Sequence, residues 1–258
     1  MLHREDVHLF LQKCGIKPYD TVLIHTSMRA LGEVENGCDG LIDAFVSYLS
    51  EGLFIVPTHT WATVGKESPV YDVRESEPCI GALPRVAAKR GDGIRSLHPT
   101  HSVAAFGKNA EAFVAGEENS KTPCPIGGVW QRLLDEKAKI LLIGVGLNRN
   151  TYIHAIDEML ELPGRLTEPF ELTVIDYDGK EHKTQFSAHN SDMTGSENFG
   201  NFEEPLIAKG ALKKERLGNA SVYVFDTVKG TEVISTLWKK ADYHLCLQER
   251  KIPAEYYL

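Results

Sequence analysis

The sequence predicts an α/β fold, because apolar segments of strand length alternate with segments of helical periodicity. The first strand–helix–strand unit has a connection long enough for a crossover, which indicates a parallel pair of strands. After residue 170 the pattern changes to the strict alternation of an antiparallel hairpin. No internal repeat or flexible linker interrupts the chain. We therefore expect one domain over residues 1–258 with an antiparallel insertion at roughly 166–200.

Turn residues and periodicity define the N-terminal elements. The expected order is a helix over 5–14, a buried strand over 21–25, a helix over 41–49 and a buried strand over 53–56. Residues 58–92 are polar and contain several prolines and glycines, which predicts a long loop with one short helix at 82–89. Loops of this length in a compact domain are usually functional.

The rest of the chain contains the most apolar strand, KILLIGV at 139–145. The other expected elements are a strand over 103–106, helices over 110–114, 129–135 and 151–161, a hairpin of 171–177 and 181–186, a strand over 221–226 and a helix over 228–240. The longest apolar run, 140–147, is far below the roughly 20 residues that a bilayer crossing needs. We expect neither a membrane segment nor a secretory signal.

The composition favours a cytoplasmic protein that binds a small molecule. Its 28 basic and 36 acidic residues give a formal net charge of −8, whereas a nucleic-acid binder needs a concentrated basic surface. A neutral or cationic ligand fits this charge. The five cysteines are an odd number and form no CxxC pair, which indicates free thiols in a reducing compartment.

Two polar loops are candidates for binding. HTSMRALGE at 25–33 directly follows the first strand, at the sheet edge where α/β proteins usually bind ligands. It fits an anion or cofactor site, and it equally fits a capped turn in which Thr26 or Ser27 begins a short helix and Gly32 ends it. RSLHPTHS at 95–102 gathers two histidines and neighbouring hydroxyls in a loop.

The segment NRNTYIHAIDEML, residues 148–160, carries the ingredients of general-base catalysis. His154 lies in the first turns of a predicted helix, with Asp157 three and Glu158 four residues further on, so either carboxylate can lie on the histidine's side. A carboxylate bonded to one imidazole nitrogen raises the basicity of the other nitrogen. A surface histidine–acid pair is the alternative.

A fourth polar segment, HNSDMTGSENFGNFEEPL at 189–206, contains His189, Asp192 and several glutamates. Carboxylates in such a loop can recognise an amine. The same composition also fits an ordinary solvated connection, and the sequence alone favours that interpretation.

In order, these segments resemble the antibiotic N-acetyltransferase family, whose best-known members are the aminoglycoside 3-N-acetyltransferases. The resemblance covers nearly the whole chain. Its motifs are the hydroxyl-rich turn after the first strand (His25, Thr26, Ser27, Gly32), the P-T-x-T segment (Pro57, Thr58, Thr60), H-P-x-x-S (His98, Pro99, Ser102), the glycine–helix segment (Gly144, Val145, Thr151, His154, Asp157), NFGNFEEPL and LGNA (Leu217–Ala220). Each motif is loose, and the ordered combination is specific.

The resemblance implies a three-layer α/β/α sandwich with an additional antiparallel β-rich subdomain, and acetyl transfer from acetyl-coenzyme A to an amine. It assigns the base to His154 and its supporting carboxylate to Asp157, which is one methylene shorter than the family's glutamate. Thr58 or Thr60 would donate a hydrogen bond to the thioester oxyanion. The coenzyme A contacts it implies are Thr26, Ser27, Arg29, Ala30, Leu31, Gly32, Ser96, His98, Pro99 and Ser102. The amine contacts that we expect are Glu158, His189 and Asp192.

Several alternatives stay open at this point. We expect direct transfer to an amine of an aminoglycoside-like acceptor, no metal, and a monomer or homodimer. An acetyl-enzyme is disfavoured because no cysteine lies inside the motifs, and only Cys124 merits a test. A metal-dependent hydrolase using His98 and His101 is the second hypothesis, although Pro99 makes a regular helix through both histidines unfavourable. A non-catalytic small-molecule binding protein on the same scaffold is the third.

Overall fold

The structure is a computed structural model that describes residues 1–190, 195–240 and 251–258. Asp192 and Cys246 lie outside the described residues. The strands are β1 (Thr21–Thr26), β2 (Leu53–Pro57), β3 (Val70–Asp72), β4 (Gly93–Arg95), β5 (Val103–Gly107), β6 (Lys139–Ile143), β7 (Phe170–Ile175), β8 (Glu181–Phe186), β9 (Leu212–Leu217) and β10 (Ala220–Asp226). The helices are α1 (Arg4–Lys13), α2 (Met28–Leu31), α3 (Gly37–Tyr48), α4 (Ala82–Ala87), α5 (Ala110–Val114), α6 (Val129–Asp135), α7 (Tyr152–Met159), α8 (Glu203–Ala208) and α9 (Thr227–Lys240).

The main sheet has the strand order β4-β5-β2-β1-β6-β10-β9. At its centre β1 pairs in parallel with both β2 and β6, which confirms the parallel pair predicted for the first unit. The outer strands β5, β4, β10 and β9 are antiparallel to their neighbours. The carboxyl ends of β1, β2 and β6 therefore meet at one edge of the sheet.

Alternate residues of the central strands are buried in two separate cores, one on each face of this sheet. In β1, Leu23 joins a core built with α6, α7 and α9, while Val22 and Ile24 join a core built with α1 and α3. Burial on both faces explains why most positions of these strands are apolar. The predicted three-layer sandwich is confirmed.

A second sheet has the strand order β3-β7-β8. The predicted antiparallel hairpin is confirmed, with Phe170 opposite Phe186. The third strand, β3, comes from the 58–92 segment, which we expected to be a long loop with one short helix, and it pairs in parallel with β7. At the base of the hairpin the Asn190 N–H donates to the Arg165 carbonyl at 2.9 Å.

Some elements are absent from the sequence prediction, and each is short or polar. Strand β9 reads LKKERL and exposes its charged residues at the edge of the main sheet, where lysines are common because they discourage pairing with other chains. Within the described residues, no helix is both long and apolar enough to span a bilayer. The single domain over 1–258 stays a prediction.

Candidate active site

Four of the predicted segments converge at the carboxyl edge of the parallel strands. The Ser27 N–H donates to the carbonyl of Ile143 at the end of β6, at 2.9 Å. The segment after β2 is joined to the 95–102 loop, since the Thr58 N–H donates to the Ser102 carbonyl at 2.7 Å. Helix α7 begins a few residues after β6. The edge where α/β sheets usually bind ligands therefore carries most of the predicted site.

Six buried or half-buried histidines form a continuous group at this edge, here called the histidine cluster. Its members are His25, His59, His98, His101, His154 and His189. From α7 inward, the ring centroids are 4.2 Å apart for His154–His189, 5.2 Å for His189–His101 and 4.6 Å for His101–His59. His98 lies 6.0 Å from His101. These contacts bring residues from four separate segments together.

Trp130 of α6 completes the base of the cluster. Its ring centroid is 5.4 Å from that of His59 and 6.4 Å from that of His25 on β1, and its indole N–H donates to the His101 carbonyl at 3.0 Å. The tryptophan is fully buried. The cluster is therefore held by the core of one sheet face and is not a surface feature.

Burial keeps the rings of the cluster neutral. It lowers the pKa of His25 to about 3 and that of His98 to about 4, because a charged imidazolium is poorly solvated in the interior. The pKa of His154 is lowered to about 3 by burial and, secondly, by the Arg165 guanidinium. A neutral imidazole has a free lone pair, which is the form that can accept a proton.

His154 and Asp157 are adjacent but are not joined by the expected hydrogen bond. The His154 Nδ1 to Asp157 Oδ2 distance is 3.5 Å, and Nδ1 has no hydrogen-bond partner in the described part of the chain. Asp157 instead accepts hydrogen bonds at Oδ2 from Nε of Arg165, at 3.0 Å, and from a terminal nitrogen of the same guanidinium. Both side chains of this ion pair are almost completely buried. Arg165 was absent from the sequence prediction.

Glu158 and His189 form a second pair of polar side chains near His154, whose ring centroid is 4.2 Å from that of His189. The His189 Nε2 to Glu158 Oε1 distance is 3.6 Å, and Glu158 Oε1 also accepts the backbone N–H of Cys124 at 2.9 Å. Burial lowers the pKa of His189 to about 4, and the neighbouring His154 acts in the same direction. The structure thus brings together three of the predicted residues, His154, Glu158 and His189.

Asn150 is a further buried polar residue that the sequence prediction treated only as a helix cap. Its side chain is 1% exposed, and neither amide atom has a hydrogen-bond partner among residues 1–190, 195–240 and 251–258. It lies at the start of α7, four residues before His154. An unpartnered buried amide is costly unless a ligand or water satisfies it, so Asn150 is a candidate for ligand contact.

Thr58 and Thr60 are fully buried, and their hydroxyl groups serve the scaffold. The Ser102 hydroxyl donates to the Thr58 carbonyl at 2.8 Å, which leaves the Thr58 hydroxyl to donate to Ser102 Oγ, also at 2.8 Å. The Thr60 hydroxyl donates to the Pro99 carbonyl at 2.6 Å. In this arrangement neither proton points to a ligand, which differs from the expected role at the oxyanion.

The 95–102 loop is held by buried hydrogen bonds. Arg95 donates from NH2 to the Thr58 carbonyl at 3.0 Å and from NH1 to the carbonyls of Val73 and Ser76 at 3.1 and 2.7 Å. The Ser96 hydroxyl accepts the Val103 N–H at 3.2 Å. Ser96, His98, Pro99 and Ser102 are all buried. The loop residues that we expected to contact coenzyme A are therefore buried beneath the surface of the site, where their hydrogen bonds hold the backbone in place.

The turn after β1 is a capped helix start, as one of the two alternatives for this segment proposed. The Ser27 hydroxyl accepts the Ala30 N–H at 3.2 Å, and Leu31 is buried in the core. Helix α2 packs closely on Gly144, where a Cβ would lie 2.4 Å from the Ala30 side chain. Gly32 ends the helix with φ 93°, a conformation that favours glycine.

Two groups in this turn remain available to a ligand. The Thr26 hydroxyl is buried and has no partner within the described residues, and the Arg29 side chain is exposed.

The arrangement of His98 and His101 bears on the hydrolase hypothesis. His98 Nδ1 accepts the backbone N–H groups of Thr100 and His101 at 3.2 and 2.9 Å, so its Nε2 donates to the Thr122 carbonyl at 2.9 Å. His101 Nδ1 is 2.9 Å from the Thr100 hydroxyl. Both nitrogens of His98 are used within the chain, which leaves it no lone pair for a metal ion.

Residues 23–238 match the model of a family described as aminoglycoside 3-N-acetyltransferase. The aminoglycoside N(3)-acetyltransferase IX of Micromonospora chalcea is 26% identical over 243 residues, covering 84% of this chain and 86% of that protein. Among solved structures, aminoglycoside acetyltransferase AAC(3)-Xa has a TM-score of 0.79 at 24% identity, over 90% of both chains. AAC-IIIb in binary complex with CoASH has a TM-score of 0.79 at 19% identity, over 92% of this chain and 96% of that one. These structures share the fold.

Proposed function

The chain belongs to the aminoglycoside 3-N-acetyltransferase family of acyltransferases, and we propose that it transfers an acetyl group from acetyl-coenzyme A to an amine with His154 as general base. The observation that carries the proposal is the environment of His154. Its ring is buried, neutral and adjacent to two carboxylates at the edge where the parallel strands end. AAC-IIIb, which shares this fold, is known in a binary complex with CoASH, and this supports coenzyme A as the co-substrate here.

The acetyl donor is held, in this proposal, by the turn after β1. Thr26 offers a buried hydroxyl without a partner in the described chain, and the exposed guanidinium of Arg29 can meet a phosphate of the cofactor. The buried loop residues Ser96, His98, Pro99 and Ser102 fix the neighbouring backbone. Coenzyme A supplies the acetyl group as a thioester.

His154 moves the proton in the transfer step. The amine reacts in its neutral form, after its ammonium ion has lost one proton to solvent. Its nitrogen then forms a bond to the acetyl carbon, and the bond from that carbon to sulfur breaks. As the bond to nitrogen forms, the nitrogen becomes more acidic, so a neutral imidazole with a lowered pKa can accept its proton. The proton then passes to the departing thiolate, which leaves His154 neutral for the next turnover.

The acceptor amine is positioned by Glu158 and His189. A primary or secondary amine is mostly cationic at neutral pH. The Glu158 carboxylate, 3.6 Å from His189 Nε2, can attract such a cation. Asp157 serves as a positioning residue through its buried ion pair with Arg165, and not as a direct hydrogen-bond partner of His154. The Asn150 amide is a candidate donor to the oxyanion, in place of Thr58 and Thr60.

An aminoglycoside is the acceptor class that we propose, supported by the name of the Micromonospora chalcea relative. The test is thiol release from acetyl-coenzyme A, measured with a panel of aminoglycosides and simple amines. The proposal predicts release that depends on the amine, with an acetylated product of the expected mass. Binding of acetyl-coenzyme A without thiol release for any amine would instead favour the non-catalytic hypothesis.

The hydrolase hypothesis has its own control. Full acetyl transfer after exhaustive chelation, with no metal detected by elemental analysis, would eliminate this hypothesis. Hydrolysis in the absence of an amine that chelation abolishes and added metal restores would favour it.

A further inference from the structure

Three potential metal ligands lie beside His154 and come from three separate segments. They are Cys124 in the loop before α6, Glu158 on α7 and His189 after β8. One thiol sulfur, one carboxylate oxygen and one imidazole nitrogen from these residues all lie within 4.8 Å of one another. In the described residues this is the group of histidine, cysteine and acidic side chains that fits a metal ion.

The three side chains are fixed and shielded from solvent. Cys124 is 1% exposed, and the side chains of Glu158 and His189 are 7% and 14% exposed. The backbone N–H of Cys124 donates to Glu158 Oε1, which holds the thiol segment against α7. His189 Nε2 is buried and has no hydrogen-bond partner in the part of the chain that the structure describes. A buried imidazole nitrogen without a hydrogen-bond partner, next to a thiol and a carboxylate, is suited to bind a metal ion.

We propose that Cys124, Glu158 and His189 form a binding site for Zn²⁺ or a similar divalent transition metal. Thiolate, imidazole and carboxylate are the ligands that zinc prefers, and softness excludes Mg²⁺ and Ca²⁺, which bind oxygen. Three protein ligands leave the fourth tetrahedral position for water or another small ligand. Binding exchanges the thiol proton of Cys124 for the metal ion and releases that proton to solvent.

The same surroundings make Cys124 unsuitable as a nucleophile. Burial raises the pKa of its thiol well above the usual value, and the carboxylates of Glu158, Asp157 and Glu117 act in the same direction. Without a metal the sulfur stays protonated and accepts no acetyl group. A dication in the site reverses this effect, because it stabilises the thiolate.

The proposed site shares Glu158 and His189 with the amine site of the proposed function, and the inhibition described here rests on that function. A bound dication would use the carboxylate that attracts the ammonium group. It would also place positive charge on His189, whose ring centroid is 4.2 Å from that of His154. We therefore expect Zn²⁺ to inhibit acetyl transfer reversibly and in competition with the amine.

The binding test uses Co²⁺ as a spectroscopic substitute for Zn²⁺ on the full-length, reduced protein. We expect saturable binding of one Co²⁺, a thiolate-to-cobalt charge-transfer band in the near ultraviolet, and displacement by Zn²⁺. Cys124→Ser should remove the band, while Cys38→Ser, which replaces a half-buried cysteine on α3, should keep it. His189→Gln should weaken binding at least tenfold, with circular dichroism as the check on folding.

The proposal is overturned if the wild-type protein gives no charge-transfer band with Co²⁺. It is also overturned if the band persists in Cys124→Ser. The kinetic arm measures the acetylated amine by mass, since Zn²⁺ also binds free coenzyme A thiol. Metal binding in a protein that acetylates no amine would keep the site and refute the proposed function. Acetylation without metal binding would do the reverse.

Discussion

The neutral state of the histidine cluster predicts that single histidines control how stability depends on pH. His25 is the clearest case, because it is 8% exposed and burial alone lowers its pKa to about 3. An unfolded histidine has a pKa of about 6.5. As the pH falls through about 6.5, the unfolded chain binds a proton at this position and the folded chain does not. Acid therefore favours unfolding through His25.

The magnitude follows from the two pKa values. Between about pH 7.5 and pH 5.5, proton binding to the unfolded state lowers the free energy of unfolding by about 1.4 kcal/mol for His25. Other groups oppose this effect. Burial raises the pKa of Glu117 to about 7, so the contribution of this carboxyl group to the free energy of unfolding increases as the pH falls. A comparison of the wild type with His25→Gln cancels such contributions, because the variant lacks only the titrating ring.

The assay is urea unfolding of both proteins at the two pH values. The difference in free energy of unfolding between wild type and variant should shift by about 1.4 kcal/mol towards the variant on going to pH 5.5. NMR titration of the imidazole signals in the wild type checks the same pKa if the variant folds poorly. A difference that is equal at both pH values, or a signal assigned to His25 that titrates at about 6.5, would refute the assignment of a neutral, buried His25.

Further predictions concern the ion pair, the scaffold threonine and the cofactor contact. Arg165→Met should lower the free energy of unfolding by about 3–5 kcal/mol in the same urea measurement, because it leaves the Asp157 carboxylate buried without its partner. The double variant with Asp157→Asn should recover part of that loss. Equal stability of wild type and Arg165→Met would contradict this prediction. Thr60→Val should cost about 1–2 kcal/mol by removing the hydrogen bond to Pro99, yet lower kcat less than tenfold. A fall of about 10²–10³ in kcat would restore Thr60 as an oxyanion donor. Arg29→Ala should weaken coenzyme A binding in calorimetry, most strongly at low salt, and an affinity independent of both salt and this residue would remove it from the site.

The sequence predicts the central architecture well, because the central strands are buried on both faces. Strand β6 reads KILLI, with four consecutive apolar, buried residues after Lys139, so the sequence pattern identifies it. Strand β9 has the opposite character: its lysines face solvent at the edge of the sheet, so its pattern resembles a loop. Strand β3 has three residues and exists only because the β7–β8 hairpin offers it an edge, which no local pattern reveals.

The same division applies to the candidate site. His154, Asp157 and Glu158 lie on one helix, three and four residues apart, so the sequence alone predicts that they are neighbours. Arg165 reaches Asp157 only because the chain turns back after α7, and His59 joins the cluster through contacts with residues distant in sequence. The Thr60 hydroxyl matched a family motif, and its actual partner, the Pro99 carbonyl, depends on tertiary structure.

The central claim is that His154 accepts the proton of the attacking amine. The most direct measurement compares wild type with His154→Ala in single-turnover acetyl transfer, with coenzyme A affinity measured by calorimetry on the same samples. The account predicts a loss of about 10²–10⁴ in the transfer rate, with nearly unchanged affinity for coenzyme A. A variant that transfers acetyl groups at the wild-type rate would contradict it.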